Sequence, residues 1–86
     1  MGMRKIEKAL LEVLDAIGGG LPAEQVEDMR DLVRHCEPGV AFENLCEQLN
    51  EYDVPVPREV YERLVWIGKA MKIDPSYWEG LGEGSQ

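Results

Sequence analysis

Ala41-Phe42-Glu43-Asn44-Leu45-Cys46-Glu47-Gln48-Leu49-Asn50-Glu51-Tyr52-Asp53 decides the fold class of this chain. Phe42, Leu45, Cys46 and Leu49 recur at three- and four-residue steps, the spacing of one buried helical face. Glu43, Glu47 and Glu51 recur every fourth residue and form a slanted acidic stripe on the other side. No Lys or Arg occurs from His35 through Pro57, so the stripe has no local cation to neutralise it. An acidic face of this kind suits a basic partner. The plain alternative is a solvated face that keeps a small domain soluble.

The same periodicity extends outward in both directions. Ile6, Leu10, Val13, Leu14 and Ile17 predict a helix over 3–17. Gly18-Gly19-Gly20 should end it and permits a left-handed cap. Pro22 suits the first turn of a second helix, which buries Val26, Met29, Val33 and Cys36. Its outer side carries Glu24, Glu27, Asp28 and Asp31, partly offset by Arg30 and Arg34. Glu37-Pro38-Gly39 reads as a turn before the third helix, which runs to Glu51 or Tyr52.

Asp53-Val54-Pro55-Val56-Pro57 cannot continue a helix, and Pro57 can open the next one. That fourth helix, to Met71 or Lys72, buries Val60, Leu64, Ile67 and Met71, broadened by Tyr61, Val65 and Trp66. Gly68 lies inside it and calls for close approach of a neighbouring helix to offset its helix penalty. Asp74-Pro75 has the chemistry of a helix start and predicts a short turn to about Glu79. Tyr77 and Trp78 fold that turn back onto the rest, with Trp66 and Trp78 read as structural anchors. The expected fold is all-α: a compact antiparallel bundle of four helices with a short extra C-terminal helical turn. Residues 1–81 form one domain, and the Gly-rich end, from Gly80 and most of all 82–86, is expected to fray as a flexible tail.

The 86 residues carry a formal net charge of −8 and an isoelectric point of about 4.5. Such a balance disfavours nucleic acid and anionic membrane surfaces, both of which select clustered Lys and Arg. Met1-Gly2-Met3-Arg4-Lys5 is basic, but Glu7, Glu12 and Asp15 break what would be the apolar part of a signal peptide. A cytoplasmic location is expected. Cys36 and Cys46 both fall on apolar helical positions and are expected to be buried free thiols, as suits a reducing compartment. One His and no Cys-x-x-Cys leave no metal-ligand set. No cofactor motif and no catalytic constellation is present, so the chain is expected not to be an enzyme. Ser76 and Ser85 lack the context of a carrier-protein attachment serine.

The segment 43–53, together with Ile73-Asp74-Pro75-Ser76-Tyr77-Trp78, resembles the C-terminal half of small bacterial immunity proteins of the MafI type. The similarity covers Gly39 to Leu81; the N-terminal half is similar only in its helical pattern. These proteins are encoded beside secreted polymorphic toxins and protect the producer. The resemblance implies a cognate toxin domain as partner and leaves the toxin's chemistry open. A toxin that cleaves nucleic acid needs a basic cleft, which an acidic inhibitor can occupy. The expected contact set is Glu43, Glu47, Glu51, Tyr52 and Asp53, with Asn44, Gln48 and Asn50 as hydrogen-bonding groups. Tyr52 either anchors the contact or closes the end of the bundle. The competing expectation is a helical adaptor that binds a protein through an apolar groove near Trp66, Tyr77 and Trp78.

Overall fold

The apolar stripes read above become five α-helices in a computed structural model that describes the backbone of residues 2–84 and the side chains of residues 4–81. They are α1 (Gly2–Ile17), α2 (Ala23–Arg34), α3 (Pro38–Glu51), α4 (Arg58–Ala70) and α5 (Glu79–Gly84). Three-residue 3-10 turns, Gly18–Gly20 and Pro75–Tyr77, lead into α2 and α5. Among the described residues there is no strand. α1 packs chiefly on α4, and α2 on α3; α1 also meets α2 and α3, and α5 closes against α3 and α4. The Cα radius of gyration is 11.5 Å, close to the roughly 12 Å expected for a folded chain of this length. The small antiparallel bundle expected from the sequence is the fold observed.

One core holds it together. Leu10, Phe42, Leu45, Leu64 and Ile67 are wholly shielded from solvent, joined by Val13, Leu14, Met29, Cys46, Leu49 and Val56. Val56 lies in the proline-rich connection, so that segment also fills the core. Ion pairs brace the helices outside it. Arg30 of α2 reaches Asp15 of α1 at 2.6 Å, and Arg63 of α4 pairs with Glu12 of α1.

The C-termini of α2, α3 and α4 are built alike. Cys36, Asp53 and Lys72 each adopt a left-handed conformation, with φ of 63°, 54° and 59°. The next residue's N–H reaches back to the carbonyl five positions earlier: Glu37 to Leu32 at 2.8 Å, Val54 to Leu49 at 3.0 Å, Ile73 to Gly68 at 2.9 Å. The left-handed residues bond to Val33, Asn50 and Lys69 in turn. These are three Schellman motifs, each built without the usual glycine.

The motif corrects one expectation. Cys36 is exposed, because α2 ends at Arg34 and the left-handed turn carries the thiol off the apolar face; Cys46 is buried as expected. The left-handed cap allowed at Gly18-Gly19-Gly20 does not form, since no described glycine has positive φ and those residues make the 3-10 turn instead. Pro38 is the first residue of α3 rather than part of a turn before it, where a missing N–H costs nothing. Pro22 and Pro57 stand one place outside their helices, as caps. The chain is helical through Gly84, so the frayed end expected from Gly80 and the tail boundary at 82 fall within α5. Ser85 and Gln86 lie outside the described residues.

Gly68 does permit a close approach, but its neighbour is an indole. An added Cβ there would stand 2.1 Å from Cζ3 of Trp78. The Trp78 ring, 3% exposed, lies in this notch and meets Phe42 edge to face at 5.9 Å. Asp74 prepares its approach by accepting the Ser76 N–H at 2.9 Å, which caps the 3-10 turn.

Candidate partner-binding face

α3 places its acids along a single face. Glu43 is half-buried, whereas Glu47, Glu51 and Asp53 are exposed. None of the four has an ion-pair partner among the described residues. α1, α2 and α4 differ in part: Glu7, Glu24, Asp28 and Glu59 have no ion-pair partner among the described residues either, but others do. Glu12 and Asp15 of α1, Glu27 and Asp31 of α2 and Glu62 of α4 each lie within ion-pair distance of an Arg. Arginines are therefore spent on α1, α2 and α4, and the field of α3 is left open.

That field acts on its surroundings. Tyr77, on the turn that packs against α3, is held above its ordinary pKa, first by Glu43, then by desolvation, Glu47 and Asp74. The Cys46 thiol is pushed up to about 12, mainly by burial and further by Glu47 and Glu43. Glu43 is thus no free solvent group. It sits at the seam between α3 and the Pro75–Tyr77 turn, and Glu47 adjoins it one turn further on.

The remaining expected contact residues are not equivalent. Tyr52 caps α3 and is 50% exposed, which presents its ring beside Glu51 and Asp53 instead of closing the bundle. Asn50 is exposed and Asn44 half-buried. Gln48 is committed elsewhere: its amide Nε2 donates to Gln25 Oε1 of α2 at 2.8 Å. The Gln48 Oε1 is buried with no partner among the described residues. Of the expected contact residues, Glu47, Asn50, Glu51, Tyr52 and Asp53 are thus exposed, and Glu43 and Asn44 are half-buried.

Sequence reasoning missed Trp66. Expected as a structural anchor, it is instead 50% exposed on α4, beside Ala9, Glu59, Glu62 and Arg63. The signal was available: Trp66 stands two residues after buried Leu64, about 200° around the helix. Trp78 is buried and Tyr77 partly buried, so of the three aromatics only Trp66 presents a large free surface. His35 caps α2. Its Nδ1 is 2.7 Å from the Asp31 carbonyl, which can only accept, so that nitrogen carries the proton. Among the described residues no group of three or more His, Cys, Asp or Glu side chains converges where an ion could sit. No described helix is long and apolar enough to cross a membrane. Comparison with protein-family models, with curated proteins and with solved structures finds no match to this chain.

Proposed function

We propose that this protein is an immunity protein, which binds and neutralises a basic, nuclease-type toxin domain encoded beside it in a bacterial genome and acts in the cytoplasm. The observation that carries the reading is the α3 face: none of its acids has an ion-pair partner among the described residues, whereas α1, α2 and α4 each pair at least one of theirs with arginine. Leaving those charges unpaired costs the free protein self-repulsion, and a basic partner offsets it. The resemblance of 43–53 and 73–78 to MafI-type immunity proteins supplies the partner class. The acids steer the encounter and form ion pairs at the interface, and Tyr52 supplies contact area and a polar tip.

Co-expression tests this directly. The protein should restore growth to cells that make the neighbouring toxin domain, and the pair should purify as a one-to-one complex that weakens steeply with salt. Continued killing, with no complex at low salt, discards the reading. A second reading, a helical adaptor, has one observation in its favour, the half-exposed Trp66. In that case Trp66→Gln would abolish capture of the partner and added salt would change little.

A further inference from the structure

A groove of about 550 Å³ opens where four segments meet: the start of α1, the α2–α3 junction, α3 itself and the end of α4. Ile6, Val40, Met71 and Ile73 give it an apolar floor, and Glu37 and Glu43 stand on its wall. Val40 is 44% exposed, although it lies on a helix whose neighbouring residues Ala41 and Phe42 are buried. Two Schellman turns shape the opening. Cys36 and Lys72, left-handed and exposed at the ends of α2 and α4, both line the groove at its rim. Lys72 is the one cation among the described lining residues.

We propose that this groove receives an apolar side chain of leucine or methionine size from a Lys- or Arg-bearing segment of the toxin domain, with Glu43 as the counter-ion. The inference rests on the immunity reading and adds the place where the partner is held. Charge complementarity chooses this occupant. Glu43 belongs both to the groove and to the unpaired stripe of α3, so a segment that crosses from one to the other meets Glu37, Glu43 and Glu47, against the single lining cation Lys72. A second copy of this chain would bring a formal charge of −8 against them. Nucleic acid would bring phosphate. An apolar anchor surrounded by complementary charge is the usual arrangement of an interface hot spot, since burial supplies most of the affinity and charge the orientation.

The protein carries its own reporter. Cys36 lines the groove and is exposed, whereas Cys46 is buried and unreactive. The probe is the purified toxin domain from the adjacent gene, inactivated by mutation and mixed with the full chain. Bound toxin should slow iodoacetamide alkylation of Cys36 by about tenfold or more, with Cys46 silent throughout. Val40→Asn, which leaves helicity unchanged because the residue is exposed, should weaken binding by about five- to tenfold. Trp66→Gln should leave it within about twofold. If the complex forms at full affinity with Val40→Asn, and Cys36 reacts at its free rate, the groove is empty in the complex and the proposal is wrong while the immunity reading stands. If no neighbouring toxin domain binds, reading and groove fall together.

Discussion

Lys72 holds its backbone at φ 59° without a glycine's freedom. For a side-chain-bearing residue that conformation costs about 1–2 kcal/mol, part of which glycine returns through a looser unfolded chain. Lys72→Gly should therefore stabilise the protein by about 0.5–1 kcal/mol, a few degrees in Tm. Asp53→Gly should gain less, because Asp visits the left-handed region more readily. A lower Tm for Lys72→Gly, measured by calorimetry, would show that its side chain does more for the fold than its backbone costs. Cys46 gives a second residue-scale expectation. Its folded pKa stands at about 12 against an ordinary 9.0. The native state keeps the proton that the unfolded chain releases, so the contribution is complete below pH 9 and is lost as pH rises from 9 towards 12. The slope approaches about 1.4 kcal/mol per pH unit. Denaturant titrations of the parent and Cys46→Ala proteins, compared across that window, should converge as pH rises; parallel curves would mean that the thiol titrates normally.

At the scale of elements, the joint between α4 and the C-terminal segment turns on a missing methyl group. Gly68→Ala would drive a Cβ into the Trp78 ring. Overpacking of this sort costs about 1–3 kcal/mol, and the expected readout is a lower denaturation midpoint with loss of the near-UV signal of Trp78. A stabilised Gly68→Ala protein, on the strength of alanine's higher helix propensity, would mean that the indole moves aside freely. The faces of α2 and α3 should separate in the same way. Glu43→Lys with Glu47→Lys relieves repulsion, so the free protein should become slightly more stable, by a few tenths of a kcal/mol, while association with the toxin slows by at least about tenfold and loses salt dependence. Glu24→Lys with Asp28→Lys should affect association less. Stopped-flow binding at two ionic strengths distinguishes them, and greater damage from the α2 pair would place the interface on α2.

For the molecule as a whole, what could be read in advance was whatever depends on periodicity. Phe42, Leu45 and Leu49 mark a buried stripe wherever the helix happens to end, so fold class, helix order and most of the core were legible. Cys36 was not, because its exposure depends on one left-handed residue after Arg34 and not on spacing. The acidic face was legible as a run without cations, whereas Gln48's attachment to Gln25 and the groove beside Val40 require residues from separate helices to be brought together. The absent cations of α3 could be counted; that Arg30 and Arg63 turn instead to α1 could not.

The pairing of the helices carries one more consequence, for the order of events in time. α2 and α3 adjoin in the chain and pack on one another, whereas α1 finds its principal neighbour in α4, across everything between. Closing a short connection sacrifices less chain entropy than closing a long one, so the α2–α3 hairpin is the natural nucleus and the α1–α4 seam forms later. Val33→Ala and Leu45→Ala should then slow refolding, while Leu10→Ala on α1 should chiefly hasten unfolding, in chevron measurements. The reverse pattern would put the nucleus at the α1–α4 seam. On this ordering the acidic helix belongs to the first part of the molecule to organise, and the groove, which needs the ends of α1 and α4, is among the last features to exist.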